Sequence, residues 1–174
     1  MREPTRLEAI DLMQIDAQES QKLWFGIECA PDWNDAEALA AQPVAWCARR
    51  DDGSLLACFG INETFEGVQG VAWALLAEPI GKDHLPLTRF VRGVVEGCGL
   101  RRLELFAKCV PIEQTRAFFI EVGAPVDSGV LVNAAMSEPT PECRWATALG
   151  FEPVHVLRRF GFADEAMMLF ERIL

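Results

Sequence analysis

A chain of 174 residues with 16 basic against 26 acidic side chains carries a formal net charge of −10. Its length suits one domain rather than two, and a composition 51% hydrophobic and 24% charged is globular rather than disordered. The acidic balance argues against nucleic-acid partners, whose phosphates draw affinity from Lys and Arg, and no apolar run reaches the ~18 residues that cross a bilayer.

An acidic surface favours solubility and weakly attracts cationic amines or basic peptides. Residues 1–6 hold an early acid and no apolar core, so a cytoplasmic protein without a signal peptide is expected. The six cysteines, Cys29, Cys47, Cys58, Cys98, Cys109 and Cys143, form no Cys-x-x-Cys pair. Neither histidine lies near one at metal spacing. Reduced thiols and no zinc site are expected.

In chain order, residues 5–10 read as a short strand. Asp11 offers an N-cap for a helix running through Leu12, Met13 and Ile15 to Leu23 and Trp24, interrupted by Gly26 and Pro31. A second helix is predicted over 35–41, capped by Asn34 and ended by Pro43. From Val44 the period changes to that of strands. Residues 44–49 and 54–61 flank Asp51-Asp52-Gly53, where glycine supplies the positive φ of a hairpin turn. A loop over 63–70 then leads to the strand 71–77, apolar on both faces as a covered central strand should be.

Pro79 and Gly81 break the chain before a helix over 86–98, whose Leu87, Phe90, Val91, Val94 and Val95 make one apolar stripe. A strand over 101–109 follows, so strand, helix and strand form a parallel crossover. Residues 110–138 read as an insertion, with 112–122 helical and 130–136 a strand around Gly123-Ala124-Pro125. Thr140 caps a helix with Pro141 at its first position, and Gly150 closes it. Two strands, 152–160 and 166–173, finish the chain around Gly161-Phe162-Ala163-Asp164. No internal repeat or linker interrupts this single domain over 1–174.

The order of strand, two helices, three-strand meander, helix, strand, helix and closing hairpin resembles the GNAT N-acetyltransferase fold across nearly the whole chain. The most specific local match is Arg144-Trp145-Ala146-Thr147-Ala148-Leu149-Gly150-Phe151-Glu152-Pro153, similar to the helix-ending Leu-Gly-Phe of that superfamily. The strand at Ala72-Trp73-Ala74-Leu75-Leu76 and the ending from Arg158 to Arg172 also resemble small GNAT-like proteins of tailed phages. The resemblance implies an α/β (α+β) domain. Its central mixed twisted sheet would carry an antiparallel meander, one parallel crossover and a C-terminal hairpin, with helices on both faces.

It further implies acetyl-CoA as co-substrate, with a small-molecule or peptide amine as acceptor. The pantetheine arm would meet backbone groups of Leu75, Leu76 and Ala77. The pyrophosphate would lie in the loop Glu78-Pro79-Ile80-Gly81-Lys82-Asp83, where backbone N–H groups at a helix N-terminus favour an anion. Only Gly81 matches the family's glycine-rich pattern there, with Lys82, His84 and Arg89 as supporting cations against Glu78 and Asp83. Proton transfer calls for a base and an acid.

Glu63 and Glu66 flank the meander loop and are the candidate bases, with Glu78 a third and a water relay as an alternative. The family's usual tyrosine falls at Ala146, and the chain has no tyrosine. Cys143 and Ser137 are substitutes for it, although a cysteine on an apolar helix more often serves packing. His155, in an alternating strand, reads as surface or core. Arg101-Arg102 and Arg158-Arg159 read as solvated charges at strand ends. The departures also favour a second function class, a catalytically silent binding or structural protein of this fold, of phage origin.

Overall fold

A computed structural model describes residues 1–18, 21, 32–160 and 164–174. Its elements in chain order are β1 (Thr5–Arg6), α1 (Ala9–Gln14), α2 (Trp33–Ala40), β2 (Val44–Arg49), β3 (Leu55–Phe65), β4 (Gln69–Leu76), a 3₁₀ turn (Gly81–Asp83) and α3 (His84–Gly97). β5 (Arg102–Lys108), α4 (Glu113–Glu121), α5 (Ser128–Ser137), α6 (Pro141–Ala148), β6 (Glu152–Phe160) and β7 (Glu165–Ile173) follow. The strands make a seven-stranded mixed sheet in the order β1-β2-β3-β4-β5-β7-β6, with one parallel pair. The expected meander, crossover helix and C-terminal hairpin are all present.

The chain forms two compact units, Met1–Leu103 with Leu174, and Glu104–Ile173. In the first, β1 to β4 pair antiparallel, with Cys47 opposite Cys58 and Cys58 opposite Leu75. Side chains alternate across the pleat. Ala45, Cys47, Cys58, Trp73 and Leu75 therefore share one face, where they pack with Leu7, Leu12 and Ala36 from the α1–α2 side. Trp46 and Phe59 take the opposite face, and Phe90 of α3 meets both edge-on, at 5.5 and 6.1 Å. Leu87, Val91 and Val95 are the buried members of the predicted α3 stripe.

Several local expectations need correction. Asp11 is not the N-cap of α1. Glu8 holds that place, and the Asp11 carboxylate accepts from the Glu8 N–H at 3.1 Å. Asp11 is buried and paired with Arg49 of β2, so a tertiary ion pair fixes where the helix starts. The helix also ends at Gln14, because Ala17 leaves it to bridge Ala77 in antiparallel fashion. Asp32, not Asn34, caps α2 by accepting from Asp35 N at 2.8 Å. The expected helical residues Leu23 and Trp24, the break at Gly26 and Pro31, and Cys29 lie outside the described residues, as do Gly161, Phe162 and Ala163.

In the second unit, β6 and β7 pair antiparallel, and Phe106 stacks on Phe160 at 5.4 Å. Phe151, Phe170, Met168 and Cys143 are fully buried. The Leu-Gly-Phe helix stop forms as read. Thr140 caps α6 by accepting from Cys143 N at 3.2 Å, and Gly150 adopts φ +87° beyond its end. Residues 130–136, expected as a strand, are helical within α5. Asp127 decides this by capping the segment, its carboxylate accepting from Val130 N at 2.9 Å. The β-branched Val130 and Val132 lose little there, since Leu131, Val132 and Ala135 are buried against neighbouring elements.

Candidate functional site

The first unit carries most of the residues singled out from the sequence, and β4 arranges them along its length. At its start, β3 runs on to Phe65 and returns through a three-residue turn, so Glu63 belongs to the strand and Glu66 to the turn. Glu63 stands opposite Gly70. Its Oε2 accepts from Gly67 N at 2.8 Å, closing the turn, and Gly67 takes the positive φ of +65° that the reversal needs. Glu66 is exposed. Val68 O receives Arg101 N at 2.9 Å, tying the turn to the chain beyond α3.

Leu75, Leu76 and Ala77 lie at the other end of β4, all buried. Leu76 pairs with Ala57 and Leu75 with Cys58. The Ala77 N–H turns toward β3 and donates to Leu56 O at 2.9 Å. Leu76 turns its polar groups the other way, as alternation requires. There its N–H donates to Gln21 Oε1 at 2.7 Å, and its C=O accepts from Gln18 N at 2.9 Å. From Gly70 to Leu76, at ~3.3 Å per residue, the two ends are about 20 Å apart. Only a ligand extended along the strand would bring the predicted bases and the predicted backbone contacts together.

Beyond β4 the loop is tied down by Arg50, whose guanidinium donates to Pro79 O at 2.9 Å. Gly81 has φ +54°, and nothing lies within 4 Å of where a β-carbon would stand. It opens the 3₁₀ turn that leads into the 14 residues of α3. Asp83 turns its carboxylate to the Met1 ammonium at 3.1 Å, and Asp51 meets the same ammonium at 3.0 Å. One of the two acids set against an anion in this loop is therefore already neutralised. The hydrogen bonds to Asp51 and then Asp83 raise the ammonium above its ordinary value, and the same bond lowers Asp51. Lys82 is exposed, and so is His84, which is the first residue of α3 rather than part of the preceding loop.

The remaining candidates belong to the second unit. Cys143 is fully buried, and its thiol faces the Lys108 carbonyl at 3.5 Å. Burial pushes that thiol above its ordinary value, so it stays protonated at neutral pH and makes a poor shuttle. Ser137 donates back to Ala134 O at 2.7 Å at the end of α5. Ala146, standing at the family's tyrosine position, is 2% exposed and accepts from Phe151 N at 3.2 Å. His155 is exposed and shares a 2.6 Å hydrogen bond with Ser128 Oγ.

The five described cysteines are free. Cys58 is raised by its hydrogen bond with Cys47 and then by burial, and Cys109 is pushed up to about 12 by burial. Among the described residues no group of three or more His, Cys, Asp or Glu side chains could hold a metal ion, and no helix is long and apolar enough to cross a membrane. Sequence reasoning missed Gln18 and Gln21 entirely. The Gln21 contact with Leu76 spans 55 residues and uses a side-chain amide, and Gln18 uses its backbone N–H; neither leaves a periodic signal.

No protein-family model matches the sequence, and no curated protein sequence matches it. Solved structures do match in fold. The aminoglycoside 6'-N-acetyltransferase from Enterococcus faecium superposes with a TM-score of 0.63 at 14% identity, covering 99% of this chain and 97% of that one. Spermidine N-acetyltransferase from Vibrio cholerae, in complex with CoA and spermine, gives 0.60 at 10% identity, over 98% and 94%. A GNAT-like decarboxylase in complex with isobutyryl-CoA gives 0.66 at 9% identity, over 99% of both chains. This chain therefore has the GNAT acyltransferase fold over its full length.

Proposed function

We propose that this protein is an N-acyltransferase that takes its acyl group from acetyl-CoA and delivers it to a small-molecule or peptide amine. One observation carries the reading. Within a GNAT-type fold, β4 runs into a positive-φ glycine with open space above it, at the start of a 14-residue helix. The dipole of α3 favours an anion at this end, although the His84 N–H already donates to Gly81 O and Pro86 has none to give. The pyrophosphate of coenzyme A is assigned to Gly81 and Lys82, and the pantetheine arm to Leu75, Leu76 and Ala77. An arm laid along β4 points its acyl end toward the turn that carries Glu63 and Glu66.

In the reaction the amine nitrogen attacks the thioester carbonyl, the C–S bond breaks, and the thiolate leaves. Glu63 or Glu66, directly or through water, takes the proton that the amine gives up. The thiolate is protonated from water, since the chain holds no tyrosine and Cys143 is buried. Positioning of the amine against the thioester then supplies most of the acceleration, and turnover is slow. The acidic surface suits a cationic acceptor.

Calorimetric titration with acetyl-CoA, alongside longer acyl-CoAs, tests the reading. Wild type should bind, and Gly81→Val should bind more weakly, because a β-branched residue is strained at φ +54°. No binding at millimolar acetyl-CoA, either by wild type or by a variant lacking the Gln21 contact with Leu76, would overturn it. A second reading, a binding protein of this fold without turnover, is favoured by the engagement of both Leu76 polar groups inside the chain. Binding of acetyl-CoA with no amide product from any amine panel would select that alternative.

A further inference from the structure

Ala17, Gln18 and Gln21 meet β4 as a ligand would. Ala17 bridges Ala77 in antiparallel register. Gln18 offers an amide N–H to the Leu76 carbonyl at 2.9 Å. Gln21 offers an amide oxygen to the Leu76 N–H at 2.7 Å. One donor and one acceptor, both amides, thus engage both Leu76 backbone groups that face away from β3, and the N–H is used up. Pantetheine is itself a chain of amides, and its pairing with a strand edge calls for the same complement. A backbone N–H has one hydrogen to give, so the Gln21 oxygen and a pantetheine carbonyl exclude each other at Leu76.

We propose that Ala17, Gln18 and Gln21 are an internal competitor for the pantetheine arm, so that acyl-CoA binds only as their contacts with Leu76 and Ala77 are released. The inference rests on the assignment of the arm to Leu75, Leu76 and Ala77 made above. Its physical content is a linkage. A ligand that binds only the released form has its affinity lowered by the fraction of molecules in that form, and weakening the internal contact restores it. Gln21 is suited to such exchange, because its contact is one neutral side-chain hydrogen bond rather than a ladder of backbone bonds. The contact also leaves no polar group of Leu76 bare when the ligand is absent, which a buried strand end requires.

Two substitutions at one position push the balance in opposite directions. Gln21→Ala removes the competing oxygen and should tighten acetyl-CoA binding about five-fold, the worth of an ordinary hydrogen bond. Gln21→Glu supplies a charged acceptor, which holds the Leu76 N–H more firmly, and should weaken binding. Hydrogen exchange read residue by residue gives an independent measure. On saturation with acetyl-CoA the Leu76 amide should stay protected, having changed partner, while the Gln18 amide loses its acceptor and exchanges faster.

Equal affinity for wild type, Gln21→Ala and Gln21→Glu, with Gln18 still protected in the complex, overturns the competition and leaves the acyltransferase reading intact. If wild type shows no binding at millimolar acetyl-CoA, binding that appears in Gln21→Ala supports the proposal. Absence of binding in both removes the assignment of the arm, and this proposal with it.

Discussion

At its first residues β4 leaves a turn closed by its own members, Glu63 accepting from Gly67 four residues on, whereas at its last residues the polar groups of Leu76 are met by Gln18 and Gln21, the latter 55 residues distant. The near end is largely exposed, and its one long-range bond, Arg101 N to Val68 O, is made at the exposed turn. The far end is buried and depends on a contact that only the folded chain can make. Groups satisfied locally can be exchanged without disturbing the rest, so chemistry at the turn is free to vary. Groups satisfied across the chain couple ligand binding to the structure itself.

The comparison breaks most completely at the middle of the pair, on which both ends hang. Gly60 lies opposite Trp73, and a β-carbon there would stand 2.5 Å from the Val44 carbonyl oxygen and 3.1 Å from the Trp73 ring. Gly60→Val should cost about 3 kcal/mol or abolish folding, as read by urea denaturation. A stability equal to wild type would show that β2 and β3 are looser than their register implies.

A smaller loss is expected from Ala146→Tyr, which installs the tyrosine that the family resemblance leads one to look for. Ala146 is buried in the second unit, so the larger ring should cost about 2 kcal/mol through overpacking and raise no turnover. Faster acyl transfer by this variant would show that the position opens onto the reacting atoms after all.

At the turn, Glu63→Ala should cost about 1 kcal/mol by leaving Gly67 N without its acceptor, while Glu66→Gln, on an exposed residue, should stay within roughly 0.5 kcal/mol of wild type. At least one of the two should slow acyl transfer if the proposed base acts from here. An unchanged rate and pH profile in both Glu63→Gln and Glu66→Gln would remove the turn from the chemistry and leave it a structural feature.

At the loop beyond the far end, pH should act through Met1. Its ammonium is raised by Asp51 and Asp83, so the pairing contributes fully below the ordinary N-terminal value near 8 and fades as pH climbs through the raised one. Asp51 is lowered from 3.8, so its share is present above that value and is lost as pH falls through the depressed one. Melting temperature followed from pH 3 to 10 should therefore decline at both margins, and less steeply in Asp51→Asn. Identical profiles would mean that the exposed half of this pairing is fully screened.

How much of this was legible depended on whether the signal was local. The β2–β3 hairpin followed from Asp51-Asp52-Gly53, and the β2 bounds, 44–49, were read as found, because alternation and a positive-φ glycine act within a few residues. The cap at Thr140 and the stop at Gly150 followed for the same reason. The strand read over 130–136 was really α5, since valines look alike in either state until Asp127 caps the segment and its apolar face finds a neighbour. Asp11 was misjudged as a cap because its partner Arg49 is 38 residues away.

For the candidate site, Gly81 stood out because it alone matches the glycine-rich loop that the family resemblance implies, but the turning of Asp83 to Met1 did not stand out. By itself, then, the sequence determined the element order outside residues 110–138, most strand periods and the local stops, all of which arise from steric rules within one or two turns of chain. Only the tertiary structure decided which partners Leu76, Asp11 and Asp83 would take. Their hydrogen bonds join residues 38 to 82 positions apart, and a buried polar group selects its partner by proximity after collapse, not by any pattern carried in the neighbouring residues.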